Sequence, residues 1–147
     1  MEYKKTGNRI LVRLDKGEEL LDQIKSVCER EDVTLGTVSG LGACSDITFG
    51  LFETAAKKYH SLHLTGNHEL VGLTGNITTM NGEVYLHVHA MFADAAYNVK
   101  GGHLNRAVIS ATGELVIEVL EGRAGRKFSD AIGLNLLAFD GRPDDGQ

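Results

Sequence analysis

With 147 residues, of which 42% are hydrophobic and 24% charged, the chain is long enough to bury the core of one domain and short for two. It has no apolar run of about 20 residues that would predict a transmembrane helix. Its net charge of −5 argues against DNA binding that depends mainly on phosphates, because such proteins carry a basic surplus. Two cysteines without a paired motif argue against a disulfide framework, so we expect a cytoplasmic protein.

The first part of the chain predicts a strand, a helix and a strand pair. Residues 9–14 are short and apolar, which is typical of a strand, and residues 18–32 predict the only convincing long helix. The helix has one apolar stripe, formed by Leu20, Leu21, Ile24, Val27 and Cys28. Residues 33–53 are rich in β-branched side chains and are interrupted by Gly40 and Gly42, which predicts two strands joined by a glycine turn.

The second part predicts strands over 57–64 and 69–80, followed by a hairpin. Asn81 and Gly82 suit a type I′ turn, in which both central residues take positive φ, so 69–80 should pair antiparallel with 83–92. A glycine-rich turn is expected around 100–102, and 107–122 supplies one or two further strands. Residues 129–139 suit either a short helix or a last strand.

These elements predict an α+β fold, an α/β sandwich in which one principal helix covers a mostly antiparallel sheet. We expect one domain over residues 1–140 and a polar C-terminal tail over 141–147. The segment 115–120 is apolar on both faces apart from Glu118, which predicts a sheet covered by the helix on one side and by something else, such as a partner subunit, on the other.

Three of the six histidines lie close together in the sequence: His87, His89 and His103. In an extended strand, His87 and His89 project from the same face, so both imidazoles can reach one ion. They lie opposite an apolar set formed by Val84, Leu86, Val88, Ala90 and Phe92. His103 follows Gly101 and Gly102, where the backbone can approach closely, and it could return as a third ligand.

Three neutral imidazoles on a tetrahedral ion leave one position for water or a substrate. Zinc is the first expectation for such a set, with nickel, copper or iron as alternatives. The competing interpretation is that these histidines are ordinary polar residues on the wet face of a sheet. We interpret His60, His63 and His68 as surface residues.

Candidate catalytic residues are few. Glu69 and Glu118 could serve as acid, base or hydrogen-bonding partner to a ligand histidine, although the sequence does not fix their distance from the histidines. The sequence contains no Gly-x-Ser-x-Gly motif, no Walker loop and no cysteine with a histidine at a telling spacing. Serine and cysteine hydrolases are therefore disfavoured.

The segments "GLTGNI", "GEVYLHVHAMFAD" and "GGHL", followed by "GELVIEVLEG", resemble the plants and prokaryotes conserved (PPC) domain in its stand-alone prokaryotic form. The resemblance extends over nearly the whole chain. It implies a PPC-like α/β fold assembled as a homotrimer, with family metal-site histidines at His87, His89 and His103. A trimer interface would also account for the doubly apolar segment 115–120.

The resemblance also implies a DNA-associated role, because plant members of the family carry AT-hooks and bacterial members are described as DNA-binding by that kinship. The only Gly-Arg-Pro in this chain, 141–143, is flanked by aspartates, whereas a minor-groove hook needs flanking cations. A local basic patch would have to draw on five residues: Arg9, Arg13, Arg123, Arg126 and Lys127.

Three functions from different classes remain open at this stage. The first is a homotrimeric regulatory module associated with DNA. The second is a metal-dependent enzyme that acts on a small molecule through the three histidines, and the third is a metal or ligand sensor without turnover. DNA binding should weaken steeply with salt, whereas the second and third functions share the same histidine cluster and no sequence feature separates them.

Overall fold

The computed structural model describes residues 1–139 and consists mainly of antiparallel strands. One helix of 11 residues, α1, interrupts them. In chain order the elements are β1 Glu2–Thr6, β2 Arg9–Asp15, α1 Leu20–Arg30, β3 Gly36–Glu53, β4 Lys58–Met80, β5 Glu83–Ala93, β6 Val99–Val119, β7 Gly125–Ser129 and β8 Leu134–Ala138.

The expected α/β sandwich with a principal helix is wrong, because the described chain is mostly antiparallel sheet with one short helix. The physical reason is strand length. β3, β4 and β6 contain 18, 23 and 21 residues, since glycines that the sequence suggested as turns lie inside continuous strands. The single helix therefore covers only a small part of the sheet.

Two of these strands join segments that were expected to be separate. β3 is one strand and not a pair, and its pairing with β4 shifts register between Gly40 and Gly42. Such an irregularity bends a strand without ending it. β4 likewise joins 57–64 and 69–80 through Gly66, whose φ of +86° is accessible to glycine at little cost.

Six strands form one sheet in the order β1-β2-β6-β3-β4-β5, and β5 also pairs with β6. That additional pairing closes β3, β4, β5 and β6 into a ring, with β2 and β1 extending from β6. All of these pairings are antiparallel. β7 and β8 form a separate two-stranded hairpin, so residues 129–139 end in a strand and not in a helix.

The predicted hairpin turn is confirmed. Asn81 and Gly82 have φ values of +54° and +84°, and β4 pairs antiparallel with β5 on either side of them. This two-residue turn fixes which residues of the two strands face each other. His87 lies opposite Asn76, and His89 lies opposite Thr74.

The predicted turn at residues 100–102 is wrong. The chain reverses earlier, where the Asp94 carboxylate accepts hydrogen bonds from the backbone N–H groups of Ala96 and Asn98 at 2.9 and 3.0 Å. Gly101 and Gly102 are part of β6 and pair with β5. His103 therefore lies in a strand beside β5 and is not carried there by a loop.

The core lies between α1 and the inner face of the sheet. Four of the five residues of the predicted apolar stripe of α1 are buried, Leu20, Ile24, Val27 and Cys28, and the fifth, Leu21, is partly buried against the core. The helix N-terminus is tied to the sheet by Glu19, which accepts hydrogen bonds from the N–H groups of Asp22 and Ala107, both at 2.8 Å. Burial raises the pKa of this carboxyl above its ordinary value.

The segment 115–120 buries only one of its two apolar faces within the chain. Leu115 and Ile117 are in the core, whereas Val116 and Leu120 are 37% and 44% exposed. The other face of this segment is therefore uncovered in a single chain.

Cys28 and Cys44 are both buried, and neither forms a disulfide. Burial raises the pKa of each thiol to about 12, so neither is a reactive thiolate near neutral pH.

α1 falls short of the length and apolar character that a bilayer-spanning helix requires. The predicted tail and its Gly-Arg-Pro lie outside the described residues.

Candidate metal centre

Three imidazoles converge on the face of β5 and β6 that points away from the core. β5 carries His87 and His89 on one side because they are two residues apart, and β6 places His103 directly opposite His89. One ligand nitrogen from each ring lies within 4.8 Å of the other two. The sequence predicted these three residues as a set, and the structure brings them together.

The distance between two of the ligand nitrogens matches that expected on a tetrahedral ion. The Nε2 atoms of His87 and His89 are 3.2 Å apart. Two nitrogens bound at about 2.05 Å to a tetrahedral zinc ion would be separated by about 3.3 Å. The ring centroids form a nearly equilateral triangle with sides of 5.1, 5.1 and 5.5 Å, so the three rings surround one point.

Electrostatics favour the neutral forms of His87 and His103, which metal binding requires. Burial lowers the pKa of His87 below its ordinary value, and the charges of Arg126 and His89 lower it further. Burial also lowers the pKa of His103, with smaller effects from His87 and His89. His89 is the exposed member of the three. The cluster is thus open to solvent on one side.

Tyr59 of β4 forms one wall of the cluster. Its ring stands edge-on to His103 at a centroid distance of 6.3 Å, and its hydroxyl donates to Asn105 Oδ1 at 2.6 Å. The ring lies across Gly50, which is opposite His103 in the register. A Cβ on Gly50 would meet the backbone carbonyl oxygen of His60 and the Tyr59 Cζ and Oη atoms, all at 2.5 Å, so only glycine fits beneath the ring.

Asn76 and Arg126 form the opposite wall. Asn76 is the cross-strand neighbour of His87. Arg126, from β7, donates to Asn76 Oδ1 and to Thr78 Oγ1, and its Cζ lies 4.9 Å from the centroid of the Tyr85 ring. This contact anchors the β7–β8 hairpin beside the histidines.

The candidate acid–base residues do not join the cluster. Glu118 is in an ion pair with Arg9 at 3.0 Å, and Glu69 lies beside His68 along a separate cavity. Among residues 1–139, no carboxylate oxygen is grouped with the three histidine nitrogens.

The other three histidines lie elsewhere. His60 contacts Glu53 at 2.9 Å, His63 contacts Asp46 at 2.7 Å, and His68 Nδ1 lies 2.9 Å from the carbonyl of Gly66. The first two are exposed, as predicted for surface residues, while His68 is half-buried.

The five basic residues of the predicted patch are mostly engaged with other groups. Arg9 and Arg13 form ion pairs with glutamates and an aspartate, and Arg126 is half-buried against Tyr85. Of these five residues, only Arg123 and Lys127 are exposed and form no ion pair within the described part of the chain.

Sequence reasoning missed Tyr59 and Asn76, and it named Arg126 only as a candidate for DNA contact. The Asn76 position could have been found, because a two-residue turn at 81–82 makes 76 and 87 direct partners. Tyr59 and Arg126 come from segments whose docking depends on the folded sheet, and no local sequence signal indicates it.

Comparison with protein families matches residues 1–121 to the Plants and Prokaryotes Conserved (PCC) domain, which is the family also abbreviated PPC. No curated protein is similar enough to count as a match. The family match includes the three histidines and stops before the β7–β8 hairpin that carries Arg126.

Solved structures share this fold. A protein from Bacteroides thetaiotaomicron with a proposed DNA-binding function is 32% identical, with 95% of this chain and 97% of that chain covered and a TM-score of 0.92. A PPC protein from Pyrococcus horikoshii is 29% identical, with coverages of 94% and 95% and a TM-score of 0.83. A metal-containing protein from Archaeoglobus fulgidus is 26% identical, with coverages of 95% and 99% and a TM-score of 0.84.

The wall formed by Tyr59 should hold His103 in its orientation. We expect Tyr59→Ala to lower the affinity of the cluster for Zn²⁺ roughly tenfold, which is the lower end of the effect of losing a partner that orients a ligand. Competition with a chromophoric chelator measures this affinity. Gly50→Ala should act in the same direction by displacing the ring, and Tyr59→Phe, which keeps the ring, should change the affinity little. Equal affinities for all four proteins would contradict this role of the ring.

Proposed function

The chain belongs to the plants and prokaryotes conserved domain family, and we propose that it is a homotrimeric metal-binding protein with a DNA-associated role. The ion would be held by His87, His89 and His103. The observation that carries the proposal is the convergence of three imidazole nitrogens within 4.8 Å on one face of the sheet.

The donor set suits a borderline divalent transition metal. Zinc is the first expectation, because three imidazoles and one open position are a common arrangement for it, and other divalent ions of this group bind imidazole as well. The metal-containing relative from Archaeoglobus fulgidus supports an ion in this fold. When bound, zinc would act as a Lewis acid and lower the pKa of a coordinated water. The protein's own contribution is to lower the pKa of His87 and of His103, which favours their neutral forms, and to hold the three rings in place.

A metal-dependent enzyme and a metal or ligand sensor are the alternatives. Glu69 and Glu118 are not grouped with the histidines, so neither proposed acid–base residue is positioned to assist an ion there. The enzyme alternative therefore lacks its predicted carboxylates. A sensor needs only reversible binding, which the partly exposed cluster allows.

Metal binding can be tested on protein purified without a histidine tag. We expect about one transition-metal ion per chain by elemental analysis. His89→Ala should lower the affinity for Zn²⁺ by more than about 100-fold, because loss of a ligand exceeds the 10–100-fold effect of losing an outer partner. His63→Ala is the matched control, since His63 is also exposed and lies outside the cluster. An equal loss in both variants, or no ion in the natural protein, would refute the site.

Two exposed apolar surfaces support a homotrimer. The first lies on the outer face of β2, β3 and β6 and includes Leu11, Leu41 and Val116, which are 53%, 54% and 37% exposed. The second is the β7–β8 hairpin with the segment that follows it, and its exposed apolar residues are Phe128, Ile132, Leu134, Leu136, Leu137 and Phe139. Two different surfaces on one chain suit a head-to-tail contact, which can close into a ring.

The assembly can be tested by solution mass. We expect a particle of three times the chain mass of 15.9 kDa by light scattering. Leu11→Asp should shift the mass toward that of one chain, because it buries a charge in the proposed interface. Leu51→Asp is the matched control, since Leu51 is 68% exposed and lies outside both surfaces. A single-chain mass for the natural protein would contradict the trimer.

The DNA-associated role is supported by relatives from Bacteroides thetaiotaomicron and Ralstonia eutropha with proposed DNA-binding functions. Arg123 and Lys127 are the candidate phosphate contacts that remain exposed and unpaired among the described residues.

We expect weak binding to duplex DNA, with an affinity that falls as the salt concentration rises. Charge reversal at Arg123 and Lys127 should weaken DNA binding. It should also flatten the slope of log affinity against log salt concentration by about two for each chain that contacts the DNA. Arg9→Gln with Arg13→Gln is the control, and salt-independent binding would contradict phosphate contact.

A further inference from the structure

Asn76 lies beside His87, where a molecule bound at the open position of the proposed ion could meet a hydrogen-bond donor. It is the direct cross-strand neighbour of His87, so the two side chains share a face and their Cβ atoms are about 5 Å apart. Asn76 is half-buried, whereas Thr74, the neighbour of His89, is exposed. A polar amide thus stands beside His87, while Thr74 lines the cavity next to the exposed His89.

Arg126 determines which atom of that amide is free. A guanidinium group only donates hydrogen bonds, so the Asn76 atom it meets must be the carbonyl oxygen Oδ1. The Nδ2 group remains, and it has no acceptor among residues 1–139. The remaining bonds of Arg126, to Thr78 Oγ1 at 3.1 Å and to the carbonyl of Asn135 at 3.3 Å, fix the guanidinium in place. The free amide N–H₂ is therefore a positioned donor.

The charges around the cluster call for an anion. Arg126 is half-buried, and its hydrogen bonds within the described chain go to Thr78, Asn135 and Asn76, with no carboxylate among them. A divalent ion on three neutral imidazoles would add two further positive charges, with no carboxylate in the ligand group. Uncompensated positive charge in a partly desolvated site attracts a negatively charged ligand.

We propose that the open position of the ion takes a small carboxylate ligand, with one oxygen on the ion and the other bound by Nδ2 of Asn76. Arg126 is a positioning residue, which orients Asn76 and supplies positive potential. The inference rests on the proposed metal site and adds the ligand class and the residue that selects it. A carboxylate suits these groups because its two oxygens can accept from two centres at once.

The test uses the full chain loaded with Co²⁺, whose visible absorption reports changes in coordination. Titration with acetate should give a saturable spectral change. Asn76→Leu should weaken acetate binding at least tenfold, since a charge-assisted hydrogen bond is lost, with little change in Co²⁺ affinity. Asn76→Asp keeps an acceptor for Arg126 and should abolish acetate binding while retaining or tightening the ion. Thr74→Val, on the same strand opposite His89, should behave like the natural protein.

The Arg126→Met variant distinguishes the proposed role of Arg126, which orients Asn76 and supplies positive potential, from general damage to the fold. Removing the cation should raise the affinity for Co²⁺ and lower that for acetate, whereas damage to the fold would lower both. The inference is overturned if the cobalt protein shows no response to acetate, or if Asn76→Leu and Asn76→Asp bind acetate as the natural protein does. In those cases the metal site stands. Failure of the natural protein to bind Co²⁺ would instead remove the metal site and this inference together.

Discussion

The pairing register of β4, β5 and β6 is the constraint on which the candidate site depends. Because the turn at 81–82 has two residues, His87 must face Asn76 and His89 must face Thr74. The second turn, closed by the Asp94 carboxylate, then sets His89 against His103. A slip of one residue in either hairpin would turn the histidines toward the core and break the cluster.

This register is possible because three strands approach one another closely at one point. β6 pairs with β5 and with β3 near the same point, where His103 has a partner on each side. Gly102 allows it, because a Cβ there would meet the carbonyl oxygen of Gly50 at 2.6 Å. Gly50 in turn leaves space for the Tyr59 ring. The small residues thus bring polar side chains of different strands to one place.

The accuracy of sequence reasoning varied with the range of the interactions involved. The apolar stripe of α1, the turn at 81–82 and the alternation in β5 were all predicted, since each depends on neighbouring residues. The fold class and the turn at 100–102 were wrong, because glycines inside long bent strands have the same local signature as glycines in turns. Bulges and positive-φ positions let β3 and β4 continue past them.

The sequence by itself determined the identity and the common face of His87 and His89, because a two-residue spacing in a strand acts locally. It also determined the register that brings Asn76 beside them. Only the tertiary structure decided that His103 lies in a paired strand, that Glu69 and Glu118 stay outside the cluster, and that Tyr59 and Arg126 enclose it. Those relations join segments far apart in the chain, and they follow from how the sheet closes on itself rather than from any local pattern.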